Sequence, residues 1–502
     1  MFRFQITALF LAVLPLSAQA EFSSVAGVLA GGTEWETPYY LINSGQPGPT
    51  VLITGGVHGD EPAGARAAEQ IRHWRIVKGR LVVVPRVNVP ALTAGTRHMP
   101  GVEKPLLNLN RNFPRATGPN EARGELARAL WSLVEKIEPD WVLDLHEGFH
   151  FHQINDASVG STIIDANREE ADEIIPRMLM SINATISDQK KKFVRLRGSA
   201  NGSLARAANA HLGAAAMTLE TTRREQPLSF RTRQHRIMVH TLLAHLGMIE
   251  AGTPNLVTPS RGKSLLRVAL YDAGGVGGNG PRQLETVIKE IKPSFTWRIS
   301  SEDIADGALQ QFDLVIFPGG SGSKQAAAIG AEGRAHVRNF VEDGGGFVGV
   351  CAGAYLAAAN YKWSLAISNH KTFCEVREIP KVGRKSMWYR GKSSTVKMAL
   401  TKAGKEILGQ VEGTIPVRYH NGPIVSPANH EGLPGYQVLA HFRSEVARYE
   451  TQKGTMVDTP AIIAANFGKG RVLCISPHPE SSKELRPLVA RGIQWAARSG
   501  KN

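Results

Sequence analysis

The sequence predicts an α/β protein with two domains. Short apolar runs alternate with helix-like stretches from about residue 25 to about residue 250, and the same alternation restarts after residue 264. A Pro-, Gly- and Ser-rich stretch without apolar periodicity separates the two parts. Such alternation is typical of a mostly parallel sheet covered by helices. A length of 502 residues suits two or three domains, and 42% hydrophobic residues suit ordinary cores.

In the first half, buried strands are predicted for the runs "TVLITGG", "RLVVVPRVN" and "DWVLDLHEG". Helices are predicted for "PAGARAAEQIRHW" and "NEARGELARALWSLVEKI". The break between the halves is "EAGTPNLVTPSRGKS". We therefore expect a first domain at 21–250, a linker at 251–264 and a second domain at 265–502.

In the second half, strands are predicted for "LLRVALYDAGG", "FDLVIFPGGSGS" and "GRVLCISPHPE". Helices are predicted for "GPRQLETVIKEI" and "EGRAHVRNFVEDGGG", and "FVGVCAGAYLAA" reads as a strand, a turn and a helix. Residues 360–460 carry less regular patterns and are predicted to hold a β-rich insertion.

The first twenty residues have the features of a signal peptide. A positively charged "MFRF" precedes the apolar "ITALFLAVLPLSA", and "AQA" before Glu21 is a small-residue cleavage site. We expect cleavage after residue 20 and a periplasmic or secreted protein; an uncleaved anchor is the alternative. No later apolar run reaches about eighteen residues, so no transmembrane segment is expected.

The formal net charge is +15. In an exported protein this favours an anionic cell-wall polymer, an anionic lipid or an acidic substrate. Nucleic acid is not an expected partner, because the basic residues are scattered and no zinc finger, RNP-type motif or basic heptad region is found. The two dense clusters, "QKKKF" and "RTRQHR", are interpreted as solvated faces.

Three cysteines are too few for a disulfide framework. Cys374 and Cys474 are predicted to be buried apolar residues, with a disulfide between them as the alternative. Cys351 has a different context, because it lies between an apolar run and a helix-like stretch.

Polar side chains follow three predicted strands of the first half. His58 and Glu61 follow the first strand, His146 and Glu147 follow "WVLDL", and Glu220 follows "AAAMTL". In open α/β sheets, ligands bind beyond the carboxyl ends of the strands. Two histidines and one glutamate can fill three zinc positions and leave the fourth for water or substrate.

Four motifs in this half, "HGDE", "NLNRNFP", "DLHEG" and "LETT", occur in the order found in a known family. Over roughly 45–245 the chain resembles the zinc carboxypeptidase family, in particular its branch of aspartoacylase, succinylglutamate desuccinylase and murein-peptide amidases. The resemblance implies a mixed sheet with helices on both faces. It departs from the aspartoacylase branch after Glu220, where that branch continues into a small β-domain and this chain leads to the linker.

The same resemblance implies the roles of individual residues. His58, Glu61 and His146 would bind Zn²⁺, and Glu220 would be the general base and acid. The other implied roles are the binding of a substrate carboxylate by Asn110 and Arg111 and the stabilisation of an oxyanion by Arg97 in "AGTRH".

The second half contains the parts of a thiol site. Cys351 lies on a sharp turn between two glycines, where a thiol is exposed near the start of a helix. His478 and Glu480 follow the last predicted strand and can supply a base and its orienting carboxylate. The backbone N–H groups of Gly319 and Gly320 can contribute to an oxyanion hole.

"FPGG", "GVCAGAYLA", "RYHNGP" and "SPHPE" give this half, at roughly 265–498, a resemblance to the class I glutamine amidotransferase-like fold. It is most similar to the N-terminal domain of eukaryotic-type biotin-protein ligases. The resemblance implies a flavodoxin-like domain with Cys351 as nucleophile, His478 as base and Glu480 as its partner. An inactive ligand-binding or docking domain is the alternative.

Taken together, these features predict an exported zinc-dependent amide hydrolase of carboxypeptidase or amidase type. Its expected substrate is a peptide with a free carboxylate, such as a cell-wall peptide derived from peptidoglycan. The alternatives are an N-acyl amino acid deacylase and a non-catalytic cell-wall-binding or scaffold protein. The oligomeric state is left open.

Overall fold

The computed structural model describes residues 25–259, 265–373, 376–385, 389–449 and 453–497. Each half of the chain builds its own sheet with helices on both faces, which confirms the predicted fold class. The expected signal peptide lies outside the described residues. Among the helices described, none combines the length and apolar character that a bilayer crossing needs.

The elements of the first half, in chain order, are β1 (Val25–Leu29), β2 (Thr37–Asn43), β3 (Thr50–Gly55), α1 (Pro62–Ile71), β4 (Arg80–Val84), α2 (Val89–Ala94), α3 (Glu125–Ile137), β5 (Trp141–Gly148), β6 (Thr162–Asp165), α4 (Glu170–Asn183), β7 (Val194–Arg197), α5 (Leu204–Leu212), β8 (Ala215–Thr222) and α6 (Leu228–His245).

Within the described residues, the first sheet has eight strands in the order β1-β2-β4-β3-β5-β8-β6-β7. Its centre, β4-β3-β5-β8, is parallel, whereas β1, β2 and β6 run antiparallel to their inner neighbours. Apolar residues of α1, α4 and α6 pack on one face, and those of α3 and α5 pack on the other. The carboxyl ends of β3, β5 and β8 therefore meet at one edge of the sheet.

The elements of the second half are β9 (Leu266–Tyr271), α7 (Gly280–Glu290), β10 (Ser294–Ile299), α8 (Ser301–Ala305), β11 (Leu314–Phe317), α9 (Gly322–Glu342), β12 (Gly346–Val350), α10 (Ala352–Ala357), β13 (His370–Thr372), β14 (Arg377–Ile379), β15 (Gly383–Lys385), β16 (Ser394–Leu400), α11 (Lys402–Leu408), β17 (Ile415–Tyr419), β18 (Val425–Pro427), β19 (Gln437–Phe442), β20 (Pro460–Phe467), β21 (Gly470–Ile475) and α12 (Arg486–Ala497).

Five strands of the second sheet are parallel, in the order β10-β9-β11-β12-β21. This is the flavodoxin-like order 2-1-3-4-5, in which ligands bind where the strand order reverses. The region 360–460 is rich in strands, as predicted, and three of them, β16, β17 and β19, extend the sheet beyond β20 as antiparallel strands. Helix α9 begins ten residues before the predicted stretch "EGRAHVRNFVEDGGG" and is broken at Gly330, whose φ is 68°.

The interpretation of "RTRQHR" as a solvated face is wrong. These residues form part of α6, and Arg231, Arg233 and Arg236 are buried. One side of α6 packs on the first sheet, and its arginines pair with carboxylates of both halves: Arg231 with Glu147 of β5, and Arg236 with Asp303 of α8. A basic cluster can be buried when each guanidinium meets a carboxylate.

Candidate metal and thiol sites

Three potential metal ligands lie at the carboxyl edge of the first sheet. His58 is in the loop after β3, Glu61 immediately precedes α1, and His146 is on β5. All three are buried, and one ligand atom from each lies within 4.8 Å of the others. Two imidazoles and a carboxylate suit Zn²⁺, so the residues present fit the metal that the sequence predicted.

The two imidazoles are oriented towards the Glu61 carboxylate. His58 Nδ1 is 3.0 Å from Glu61 Oε1, and His146 Nδ1 is 2.8 Å from Glu61 Oε2. The outer ring nitrogens contact other side chains: His58 Nε2 is 3.0 Å from Asn108 Oδ1, and His146 Nε2 is 2.8 Å from Asp144 Oδ2. Such outer contacts fix the ring orientation of metal-binding histidines.

The electrostatics of this cluster favour a charged carboxylate. Burial disfavours the charge on Glu61, but His58 and His146 hold the pKa of that carboxyl well below its usual range. Burial likewise disfavours a charged imidazole, but Asp144 and Glu61 raise the pKa of His146 well above its usual value. A divalent cation would supply the positive charge that this acidic pocket attracts.

Glu220 lies next to the cluster. It is on β8, directly opposite His146 in the parallel register of β5 and β8, and it is buried. Burial raises the pKa of Glu220 to about 8. A carboxyl group in this environment can exchange protons near neutral pH, as a general base and acid must.

The residues expected to bind substrate are brought to the same edge. Asn110 Nδ2 is 3.3 Å from His146 Nε2, and the exposed Arg111 donates to the Asn110 carbonyl at 2.6 Å. Partial desolvation of the guanidinium and the nearby Arg97 lower the pKa of Arg111. Arg97 is 44% exposed and donates to Glu61 Oε1 at 2.5 Å, so it reaches the predicted ligand carboxylate.

Sequence reasoning missed several groups around the cluster. Asp144 could have been found, because it lies two residues before His146 and alternate residues of a strand share a face. Asn108 lies in the quoted motif "NLNRNFP" but gave no separate signal. The pairing of Glu147 with Arg231 joins residues that are 84 positions apart, which no local pattern could reveal.

The predicted thiol residues also meet in space. Cys351 follows β12 with φ 50° and ψ −95°, a strained conformation for a residue with a side chain. The His478 imidazole contacts the Cys351 thiol, and its Nδ1 is 2.8 Å from Glu480 Oε1. Burial disfavours an imidazolium, but Cys351 and Glu480 outweigh it and raise the pKa of His478 to about 10. The His478 imidazole is therefore suited to remain protonated beside the Cys351 sulfur.

Gly319 and Gly320 lie against this pair. A Cβ atom on Gly319 would be 2.9 Å from His478 Cε1 and 3.7 Å from Cys351 Cβ, so a larger residue would crowd the base. Gly320 has φ 143°, and a Cβ there would be 2.1 Å from the Gly275 carbonyl oxygen. The backbone of this loop thus passes close to the thiol, as an oxyanion-binding loop must.

Of the other two cysteines, Cys474 is buried in β21 and carries a free thiol, in agreement with the prediction of a buried apolar residue. Burial raises its pKa. Cys374 lies outside the described residues.

Comparisons with known proteins find a family match in each half of the chain. Residues 47–249 match the family "Succinylglutamate desuccinylase/Aspartoacylase catalytic domain". The first half thus matches a family of zinc-dependent hydrolases. Residues 283–494 match "Biotin-protein ligase, N terminal". The second match agrees with the resemblance to biotin-protein ligases and leaves the amidotransferase-like identity as a prediction.

Among curated proteins, part of the chain is similar to N-alpha-acetyl-L-2,4-diaminobutyric acid deacetylase from Halomonas elongata. The two are 35% identical over 135 residues, which are 26% of this chain and 38% of that protein. The chain thus spans well under half the length of this relative.

Two solved structures are similar to part of the chain. One is a Gln46His variant of the cell shape determinant protein Csd4 from Helicobacter pylori, with 22% identity, a TM-score of 0.36, and coverage of 43% of this chain and 57% of that chain. The other is the product-bound ectoine utilization protein EutE (DoeB) from Ruegeria pomeroyi, with 22% identity, a TM-score of 0.33, and coverage of 44% and 63%.

Proposed function

We propose that the first domain is a zinc-dependent amide hydrolase that acts on a peptide with a free carboxylate. The main support is the geometry at the sheet edge. Three buried ligands of the right chemistry lie within 4.8 Å of one another, and Glu220 stands in register beside one of them. We further propose that the protein is exported, which makes a cell-wall peptide the expected substrate; this rests on the signal-peptide features of residues 1–20.

His58, Glu61 and His146 would hold the metal. Zinc bound there would polarise the scissile carbonyl and lower the pKa of water. Glu220 accepts the proton of the attacking water and returns it to the leaving amine. Burial raises the pKa of Glu220 to about 8, which suits a group that must both accept and donate a proton near neutral pH.

The arginines at the mouth of the site bind and orient the substrate. Arg111 is exposed and can receive a carboxylate through two parallel N–H groups. Arg97 is partly exposed and lies against Glu61, close enough to the ligands to face the carbonyl oxygen on which negative charge develops.

The second candidate function is deacylation of an N-acyl amino acid. The similarity to a deacetylase of N-acetyl-diaminobutyric acid favours it. Both substrates present an amide and a free carboxylate, so the same residues would serve either reaction. A third possibility, a binding protein without turnover, would leave Glu220 without a catalytic task.

One experiment separates these functions. Purified full-length protein loaded with zinc is assayed against cell-wall stem peptides and against N-acetyl and N-succinyl amino acids. We expect chelator-sensitive release of an amino acid from the stem peptides, with kcat roughly 10² to 10⁴-fold lower in Glu220→Gln at unchanged zinc content, because an amide cannot accept the proton.

The matched control for that variant is Glu225→Gln, which alters an exposed carboxylate and should retain activity. Faster turnover of the acylated amino acids would favour the deacylase. Full activity in Glu220→Gln would show that another group is the base, and no turnover of any substrate would favour the binding protein.

A further inference from the structure

Cys351 lies between two cavities of different size and chemistry. The larger has a volume of about 440 Å³, and its walls include Tyr355, Tyr361, Trp363, Arg384 and Lys385. The smaller has a volume of about 220 Å³ and contains the predicted base His478 together with Glu480. Cys351 lines both. A substrate that spans the thiol would place a different part of itself in each cavity.

The larger cavity is suited to a flat group with negative charge. Tyr361 and Trp363 stack with ring centroids 4.5 Å apart, and Tyr355 is fixed by a hydrogen bond from its hydroxyl to the Asn421 carbonyl at 3.2 Å. Strand β15 supplies two cations, Arg384 and Lys385, and none of the described residues that line this cavity is acidic. Aromatic walls favour planar groups, and paired cations favour a carboxylate.

The size of this cavity suits a ligand larger than a single amino acid. A volume of about 440 Å³ lies in the range of pockets for drug-sized ligands, which is roughly 300–1,000 Å³. The cavity can therefore take the acyl part of a dipeptide or a larger molecule.

The smaller cavity is the place of the leaving group. His478 and Glu480 line it, whereas neither lines the larger cavity. The leaving amine must receive a proton as its bond breaks, so it has to lie on the side of the protonated base. Gly277, Gly278 and Asn279 are among the residues that line it, and its volume of about 220 Å³ suits a small amine.

We propose that the second domain is a thiol hydrolase that cleaves an amide between an acidic acyl group with a planar portion, larger than a free amino acid, and a small amine. The Cys351 sulfur forms a bond to the carbonyl carbon, the C–N bond breaks, and His478 gives its proton to the departing amine. Water then attacks the thioester and gives a proton to His478. The C–S bond breaks, the acid is released, and the thiolate and the protonated His478 with which the reaction began are restored. The net reaction is amide plus water to acid plus amine.

The charge preference can be measured without knowing the substrate. Full-length protein is alkylated with iodoacetate or iodoacetamide near pH 7, and each cysteine is followed by mass spectrometry. We expect Cys351 to react much faster than the buried Cys474, and we expect its iodoacetate-to-iodoacetamide rate ratio to fall about tenfold in Arg384→Ala/Lys385→Ala. Lys381→Gln, on the same hairpin, should keep the ratio. An unchanged ratio in the double variant, or a Cys351 no faster than Cys474, would overturn the proposal.

Turnover is tested in protein that carries His58→Ala and His146→Ala, so that hydrolysis at the first site cannot contribute. The probes are N-acetyl-aspartyl-tyrosine amide, its lysyl counterpart and free glutamine, with release of ammonia as the readout. We expect Cys351-dependent hydrolysis of the aspartyl compound with kcat/KM about tenfold or more above the lysyl one, and little hydrolysis of glutamine. Absence of Cys351-dependent release from the aspartyl amide, or a preference for either other probe, would refute the assignment. Neither outcome bears on the metal site.

Discussion

A second side chain contacts the outer ring nitrogen of each histidine in the candidate metal cluster and orients the imidazole. Asp144 is fully buried, accepts a hydrogen bond from the Thr54 hydroxyl at 2.7 Å through one oxygen, and contacts His146 Nε2 through the other. This leaves His146 Nδ1 directed at Glu61. The Asp144 carboxylate therefore positions the proposed ligand His146 without being a proposed ligand itself.

Asp144→Asn is expected to weaken zinc binding 10- to 100-fold, because an amide supports the imidazole less well than a carboxylate. The measurement is the zinc dissociation constant from competition with a chelator. Asp156→Asn changes an exposed carboxylate in the same domain and should bind zinc like the wild type. Equal affinity in Asp144→Asn would show that the ring is held by the backbone alone.

Arg111 makes a separate prediction at the residue scale. Arg111→Ala is expected to raise KM roughly 10- to 100-fold for substrates with a free carboxylate, since a hydrogen bond to a charged group contributes about 1.5–3 kcal/mol. The same substrates with an amidated carboxylate should lose little. Arg115→Ala, four residues further along the chain, is the control. A fall in kcat at constant KM would instead place Arg111 in the chemical step.

At the scale of elements, the site depends on how closely α1 approaches β5. Gly64 lies in the first turn of α1, three residues after Glu61, and a Cβ atom there would be 2.3 Å from the Leu145 carbonyl oxygen. Leu145 precedes His146 on β5. The glycine thus allows the helix that follows the proposed ligand Glu61 to contact the strand that carries the proposed ligand His146.

Gly64→Ala is expected to lower stability by about 1–3 kcal/mol through overpacking, although alanine is the better helix former. It should also weaken zinc binding, because the helix must move away from the strand. Thermal unfolding and zinc affinity are measured together. In Gly31→Ala the new Cβ would meet its nearest heavy atom at 3.8 Å, so that variant should match the wild type. If Gly64→Ala lowers the stability but leaves the zinc affinity unchanged, the position of Glu61 does not depend on the close packing of α1 against β5.

The elements also show what the sequence could predict. Strand ends are marked by glycines and polar residues, so the meeting of His58, His146 and Glu220 at one edge followed from parallel strands. The burial of "RTRQHR" could not be predicted from the sequence. A run of arginines is normally solvated, and it is buried only when carboxylates from distant parts of the chain pair with it. Asp303 lies 67 residues beyond Arg236, and only the folded chain brings them together.

At the scale of the whole molecule, ion pairs join the two halves. Arg66 of α1 donates to Glu285 of α7 at 2.7 Å, and Glu285 also accepts from Arg298 at 2.6 Å. Burial opposes the charge on Glu285, but the two arginines outweigh it and lower its pKa to about 2. A depressed carboxyl pKa stabilises the folded state above the unfolded value of about 4.5, and this contribution is lost as pH falls towards 2.

Glu285→Gln is therefore expected to be less stable than the wild type at pH 7, by up to about 3 kcal/mol. The difference should shrink below about pH 4.5 and nearly vanish near pH 2. Urea unfolding across this pH range is the measurement. Glu290→Gln, which alters a more exposed carboxylate of the same helix, is the control. A difference that does not change with pH would mean that the pair contributes through packing only.

The buried arginines of α6 make it unfavourable to express the first half of the chain without the second. Arg233 Nη1 is 2.9 Å from Asp306 Oδ2, and Arg236 contacts Asp303, so both lose their acidic partners if the protein is expressed without its second half. A fragment that ends near residue 250 would expose a cationic stripe on an already basic protein. Polyanions of the host cell would collect on that stripe during purification. RNA bound to such a preparation would then be a product of the truncation, and it would disappear when the full-length chain is used.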